Sequence, residues 1–387
     1  MGILRTGARR LNIVLVMSRA SPWARDTALA LRAHGHGVHV VDFATAPSVP
    51  SYLSADDADQ QSGIAKLRDN GVSIHLLHTT WRSGLRYIIA APQLRRVVHD
   101  VRGDVVLALY GGGLAMLAWV SGVRPYAVYV VGSDVLMAQG RLRGLSSRFL
   151  EQAGAVFSNG EYLAEQTRLF APRARVLPLY LGIAVDDFPI VPQRVAVPRV
   201  ICTRGFLPVY NNKYLIEGLA ARARGAAPVP TTFVSKGPDL DYVRAYADRI
   251  LSVEQRSAVA FLGGVDRARL LAELAISQVY VSLSISDGTS TSLLEGFASG
   301  LFPILSDIPQ NREWIDSSAA NGILVPLHDS AALALALERA LRDEELRVRA
   351  AIFNQRLVRE RADAYRNMGV VVDRLQAMIP SPSGSPA

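Results

Sequence analysis

The 387-residue chain contains a single cysteine, Cys202, which excludes an intramolecular disulfide framework and suits a reducing compartment. No apolar run approaches the roughly 20 residues that a bilayer span requires. The stretch "MGILRTGARRLNIVLVMSRASPW" places arginines ahead of an apolar run, as a secretory leader does. Yet "LNIVLVM" is short for a leader and no small-residue cleavage site follows, so it reads as a buried first strand. The strand is not followed by G-x-G-x-x-G, which removes the signature of a nicotinamide-dependent dehydrogenase. No set of His, Cys, Asp or Glu has metal-ligand spacing. His75, His78 and His99 stand apart from one another, and His36 in "AHGHGVHVV" sits at a helix-to-strand turn and reads as structural. Aromatic residues are few and do not interleave with the basic ones, so nucleic acid is not expected as a partner. These absences describe a soluble, cytoplasmic protein with neither metal nor resident cofactor.

What is present is apolar residue in quantity: 50% of the chain is hydrophobic, and its length suits two domains rather than one core. The net charge of +8 is uneven. Residues 1–190 carry 20 basic and 14 acidic side chains, a balance of +6, and the remainder carries 22 and 20, a balance of +2. A basic first half suits an anionic lipid surface or an anionic acceptor, although solubility alone also accounts for it.

Continuous apolar segments alternate with helical patterns along the whole chain. "NIVLVM", "VHVVDF", "GVSIHLL", "DVVLALY", "YAVYVV" and "AVFSN" come first. After the proline-rich, aperiodic stretch 181–199, which reads as a linker, the alternation restarts with "RVICTRGF" and ends with "GILVPL". Unbroken apolar strands separated by helices imply parallel sheets covered on both faces. The expected fold class is therefore α/β, with two doubly wound domains facing across a cleft. Ligands in such sheets sit beyond the carboxyl ends of the strands. The domains are expected over residues 1–187 and 188–364, with a helix at 365–379 packing back on the first and a disordered tail at 380–387.

The stretch "SISDGTSTSLLEGFASGLFPILSD" (284–307) concentrates the chemistry. A strand is expected to end at Ser286 and a helix to run from about Ser292 to Gly300. Between them, Asp287, Gly288, Thr289, Ser290, Thr291 and Ser292 offer a flexible glycine, hydroxyls and free helix amides, a setting that favours a phosphate or diphosphate. The competing reading is purely structural: Ser292-x-x-Glu295 matches a capping box. Asp287 and Glu295 bracket the loop, and a carboxylate accepts two hydrogen bonds from a sugar diol, so the pair suits a nucleotide sugar. Arg204 leaves its own strand at the same sheet edge and suits a diphosphate, though a solvated surface arginine is the plainer reading.

These residues resemble the retaining glycosyltransferases of family 4, which have the GT-B fold. The family's E-x7-E signature appears as Asp287-x7-Glu295 within "SDGTSTSLLEGFASGLFPILSDIPQNREWI". "FVSKGPDLDYVR", "FLGGV", "NGILVPLHDSAALALALERAL" and "LPLYLGIAVDDF" also sit where the family has corresponding segments. The resemblance implies a C-terminal domain that binds a nucleoside-diphosphate sugar, an N-terminal domain that binds a hydroxyl acceptor, and no metal. Glu295 would contact the ribose and Asp287 the transferred sugar. Gly288, Thr289, Ser290, Thr291 and Ser292 would face the diphosphate and sugar, and Arg204 would neutralise the leaving group. Retention would follow from front-face attack assisted by the departing phosphate, without a protein nucleophile.

The chain departs from the family at several points. Asp287 replaces a glutamate. Where a lysine follows the arginine in the family, this chain has Tyr210-Asn211. Lys213 falls inside the next helix, which leaves Lys236 of "SKGP" as a candidate second cation. In the family's HG-x-D stretch, here "VVGSDV", Val131 takes the histidine position, followed by Gly132, Ser133 and Asp134. Val131 suggests a donor without a polar group there, such as a 6-deoxysugar, or an altered acceptor geometry. Asp134 keeps the family's acidic position and counts with Asp287 and Arg204 as a catalytic candidate. Ser18-Arg19 stands where a glycine pair follows the first strand, and Ser18, Arg19, Gly112, Val131 and Ser133 are the candidate acceptor-side residues. The acceptor is expected to be a glycan, a small molecule or a lipid-linked group, which would put the enzyme at the inner face of the membrane. The alternatives are a sugar-nucleotide epimerase on the same fold, and a two-domain sugar- or nucleotide-binding or sensor protein without chemistry.

Overall fold

The computed structural model describes residues 9–19, 21–44, 57–79, 84–136, 143–222 and 226–380. The chain divides into two compact units, one running to Leu181 and resuming at Ala364, the other spanning Gly182–Asp363. The division thus falls after Leu181 rather than after residue 187. All but the first residue of the expected tail lies outside the described residues.

The first unit contains seven strands: β1 (Asn12–Val16), β2 (Gly37–Phe43), β3 (Ser73–Leu77), β4 (Val105–Leu109), β5 (Tyr126–Val130), β6 (Ala155–Ser158) and β7 (Val176–Pro178). Its helices are α1 (Pro22–Ala33), α2 (Asp57–Asp69), α3 (Leu85–Asp100), α4 (Gly113–Val120), α5 (Ser133–Leu136), α6 (Arg143–Glu151) and α7 (Glu161–Phe170). The sheet is parallel throughout, in the order β3-β2-β1-β4-β5-β6-β7. Successive residues of a strand feed opposite faces. Val14 and Val16 join one core with Val106 and Val128, whereas Ile13 and Leu15 join another with Leu107 and Ala127. The second core is closed by Met368, Val371, Val372 and Leu375, one stripe at helical spacing. They belong to α16 (Ala364–Ala377), so the end of the chain completes the first unit.

The second unit holds β8 (Val200–Cys202), β9 (Thr231–Val234), β10 (Val259–Gly263), β11 (Val279–Ser282), β12 (Phe302–Ser306) and β13 (Ile323–Val325). Its helices are α8 (Asn212–Ala220), α9 (Leu240–Ile250), α10 (Val253–Ser257), α11 (Arg267–Ala275), α12 (Thr291–Ala298), α13 (Pro309–Arg312), α14 (Ser330–Arg342) and α15 (Glu344–Arg361). This sheet is also parallel, in the order β10-β9-β8-β11-β12-β13. Strand order reverses between β1 and β4 in one sheet and between β8 and β11 in the other. At such reversals the flanking loops diverge and leave a ligand crevice.

Residues 181–199 differ from the expected free linker. Val191 N donates to Ser299 O at 3.1 Å, Gln193 Nε2 to Gly300 O at 2.9 Å, and Arg347 Nη2 to Gln193 O at 3.1 Å. Val185, Phe188 and Val191 are buried. The segment is a strap over α12 and α15. Pro189, Pro192 and Pro198 suppress any period in it, but they do not stop its remaining backbone groups from finding partners.

Candidate active site

The residues singled out in the C-terminal half meet at the β8/β11 reversal. β11 ends at Ser282 rather than Ser286, because the chain beyond it turns onto its neighbours: Ile285 N donates to Val209 O at 2.8 Å and Ser306 Oγ to Ser284 O at 2.5 Å. The loop then reaches α12, whose N-cap is Ser290, its Oγ accepting from Leu293 N. Ser290, not Ser292, therefore caps the helix. The Ser292–Glu295 capping box fails because both residues already lie inside the helix.

Arg204 follows β8 and is 8% exposed, which corrects the surface reading. Its Nη2 donates to Asp287 Oδ2 at 2.5 Å, and its Nη1 to Ser290 Oγ at 2.5 Å and Ser292 Oγ at 3.2 Å. The Tyr210 ring lies beneath the guanidinium, 4.0 Å from its carbon. Burial works against the charge on Arg204, but Asp287, Tyr210 and Tyr280 together hold its pKa above the ordinary value. Burial also pushes the Asp287 carboxyl up, while Arg204, the Gly288 amide and the Ser284 hydroxyl pull it down. Ser292 Oγ lies 2.8 Å from both Ser290 Oγ and the Tyr280 hydroxyl. The Tyr280 phenol, fully buried on β11, is pushed up to about 12 by burial. A buried cation thus stands against the first turn of α12, bonded to the hydroxyls of Ser290 and Ser292. That arrangement attracts an anion.

The remaining donor-side candidates separate. Phe206 N donates to Lys236 O and Asp239 N to Phe206 O, each at 3.1 Å, so the Lys236 backbone is stitched to the Arg204 loop. Gly237 makes this possible: its φ is +154°, and a Cβ there would lie 2.3 Å from Phe206 O. Lys213 faces away, ion-paired with Glu217 at 3.1 Å and 4.7 Å from the Tyr246 ring, on the α8–α9 side. Thr289 is buried, Gly288 and Ser292 half-buried, and Thr291 exposed. Glu295 Oε1 accepts from Arg267 Nη1 at 3.0 Å.

In the first unit the acceptor-side candidates lie at the β1/β4/β5 strand ends. Asp134 is buried and fully engaged: its Oδ2 accepts from Gly111 N at 2.6 Å, its Oδ1 from Gly132 N at 2.8 Å, and both oxygens from Val131 N at 3.1 Å. It staples the β4 loop to the β5 loop. Its carboxyl is raised by burial, against the pull of those amides. Ser133 is exposed and its Oγ lies 3.0 Å from the Tyr110 hydroxyl, while Gly112 is the N-cap of α4. Gly113 is needed for close approach, because a Cβ there would meet the Tyr87 ring at 2.2 Å. Ser18 is buried, with no partner for its hydroxyl among the described residues. Arg19 folds onto the end of β2: its N donates to Asp42 Oδ2 at 2.9 Å and its Nη1 to Phe43 O at 3.2 Å. Burial raises the Asp42 carboxyl to about 6, despite the opposing pull of the Arg19 and Phe43 amides.

Comparison with known proteins now decides the family. The model of the glycosyl transferases group 1 matches residues 200–356, and that of the glycosyl transferase 4-like domain matches residues 20–182. The chain belongs to the family 4 glycosyltransferases of GT-B fold. The chain is 30% identical over 174 residues to a phosphatidyl-myo-inositol mannosyltransferase of Mycobacterium leprae. The match covers 43% of this chain and 45% of that protein, so the chain spans less than half the length of the curated relative it matches. Among solved structures, Anabaena Alr3699/HepE in complex with UDP and glucose superposes with a TM-score of 0.75 at 16% identity, over 95% of this chain and 100% of that one. The sucrose-phosphate synthase of Thermosynechococcus elongatus gives 0.73 at 15%, over 95% and 100%.

Tyr280, Ser284 and Arg267 were not among the residues expected from the sequence. The one signal for Tyr280 is a phenol in the otherwise aliphatic "VYVS" strand. Arg267 carries no local signal, since its partner lies on another helix.

Proposed function

We propose that the chain is a retaining, metal-independent glycosyltransferase that moves a sugar from a nucleoside-diphosphate sugar to a hydroxyl acceptor. The observation that carries the reading is the buried Arg204, held by Asp287, Ser290 and Tyr210 against the start of α12. Arg204 and the helix amides supply positive charge where the diphosphate leaves. Glu295 holds the ribose, Asp287 orients Arg204 and meets the sugar hydroxyls, and Lys236 serves as a second cation. The acceptor oxygen attacks the anomeric carbon from the face the phosphate leaves. The C–O bond to phosphate breaks as the new one forms, and the departing phosphate oxygen takes the acceptor's proton. Positioning and electrostatics then supply the rate. The UDP and glucose bound by the Anabaena structure support a nucleotide-sugar donor.

On the acceptor side we assign Ser18, Arg19, Gly112, Val131 and Ser133, ordered by Asp134. A lipid-linked acceptor at the inner membrane face is supported by the name of the mycobacterial relative and by α3. That helix exposes Leu85, Ile88, Ile89 and Pro92 at helical spacing, followed by the exposed Arg95 and Arg96. No helix among the described residues is long and apolar enough to cross a membrane.

The test is to incubate the full chain with UDP-, GDP-, TDP- and ADP-sugars and to measure nucleoside diphosphate release with and without EDTA. Soluble sugars and anionic phospholipid vesicles serve as acceptors, and the product anomer is read by NMR. Acceptor-dependent release that survives EDTA, with the donor's anomeric configuration kept, is expected. An inverted product, loss of activity in EDTA, or epimerised donor without transfer contradicts the corresponding part of the proposal.

A further inference from the structure

At the junction of β4 and α4 the run Gly111-Gly112-Gly113 yields the space of each side chain to a neighbour. A Cβ on Gly111 would lie 2.9 Å from Val130 Cγ1 and 3.1 Å from Asp134 Oδ2. One on Gly112 would lie 3.1 Å from Tyr110 Cε1, and one on Gly113 2.2 Å from Tyr87 Cζ. The loop is thus shaped around a carboxylate and two phenols. Tyr110, which opens the run, has a φ of +147°, a conformation that glycine takes readily and other residues rarely do. A glycine would release that strain, yet the chain keeps a tyrosine. Strain of this kind collects where a side chain has a task.

The Tyr110 ring packs against the core beside Tyr87, and its hydroxyl lies 3.0 Å from Ser133 Oγ, just after β5. Ser133 is exposed and Tyr110 partly so. The hydroxyl pair is not needed to join the two loops. Asp134 already joins them, accepting from Gly111 N, Gly132 N and Val131 N. Burial and then Asp134 raise the Tyr110 pKa against the pull of Ser133, so the phenol keeps its proton. Two hydroxyls carry two protons, and the bond between them uses one. The other proton and the remaining lone pairs can serve further oxygens. The separation of the pair matches that of two gauche oxygens on adjacent ring carbons, so each hydroxyl can meet one of them.

We propose that Tyr110 and Ser133 form the acceptor-reading element, a hydroxyl pair that takes two neighbouring hydroxyls of one ring, so that the acceptor is a polyhydroxylated ring, a sugar or a cyclitol, and not a simple alcohol. This rests on the reading of the chain as a transferase whose acceptor binds the first unit. A site built to bond a hydroxyl discriminates against an analogue that lacks it. Tyr110→Phe and Ser133→Ala should each raise the KM for a polyol acceptor about tenfold, with the donor KM little moved. The double variant should cost less than the product of the two, because the hydroxyls act as a unit.

The experiment measures nucleoside diphosphate release by the wild type, Tyr110→Phe, Ser133→Ala and the double variant. UDP-, GDP-, TDP- and ADP-sugars are the donors, methyl α-glucoside, myo-inositol and cyclohexanol the acceptors, and melting temperatures are taken alongside. The wild type is expected to favour a polyol over cyclohexanol, and the variants to lose most of that preference at an unchanged melting temperature. If the wild type shows the preference and the variants keep it, the inference is overturned and the transferase reading stands. Wild-type transfer that does not favour a polyol overturns it equally. Variants that melt lower but keep the preference mark the pair as a structural clasp, which also overturns it. If no donor and acceptor together give release, the transferase reading falls and the inference with it.

Discussion

An arginine buried as deeply as Arg204 needs its charge answered, and Asp287, Ser290, Ser292 and the Tyr210 face engage its two terminal nitrogens and its plane, while its Nε has no hydrogen-bond partner among the described residues. The composition of the 287–292 loop made most of these residues legible in the sequence, since hydroxyls and a carboxylate gathered at a helix start stand out as polar partners, whether for a cap or for an anion. That the arginine is buried was not legible, because burial depends on the packing of β8 against β11. The same applies to Asp42, which local sequence does not distinguish from a surface aspartate. Folded Asp42 keeps its proton to about pH 6, against 3.8 as its ordinary value. The folded state therefore binds more protons between those limits. The resulting stabilisation, on the order of 3 kcal/mol, is complete below about pH 4 and is lost as pH rises through about 6. Urea unfolding across that window should show stability falling as pH rises. Asp42→Asn should flatten the slope, and an unaltered slope in the variant would refute the assignment.

At the scale of elements, the alternation of apolar strands and helices was readable throughout, because parallel strands buried on both faces leave unbroken apolar runs. The ends of elements were less so. β11 stops early and α12 starts at Thr291 because hydrogen bonds from Ile285 and Ser290 take over, and these are settled by neighbouring segments. The strap at 181–199 was misread as a linker for the same reason. Gly237 shows how tightly such connections are made, since two backbones cross where its side chain would be. Gly237→Ala is expected to cost about 2–4 kcal/mol and to loosen the Arg204 loop, lowering both the urea midpoint and the affinity for nucleoside diphosphate. An unchanged midpoint would show that the two loops are not coupled.

For the whole molecule, composition pointed to two doubly wound units, and the stripe Met368, Val371, Val372 and Leu375 explains why the last helix joins the first of them. Basic charge is concentrated in the half whose strand ends carry Arg19 and Ser133. The half with nearly balanced charge instead localises its cations, Arg204 and Arg267, beside the two carboxylates they hold. The proposed function depends on the 287–295 segment being a donor site and not merely a capped helix start. The most direct test is titration calorimetry of the wild type and Glu295→Ala with UDP, GDP, TDP and ADP, with melting temperatures measured alongside. Selective binding of one nucleotide by the wild type, weakened at least tenfold in Glu295→Ala at an unchanged melting temperature, is expected. Equal binding by both proteins, or no binding by either, would contradict it.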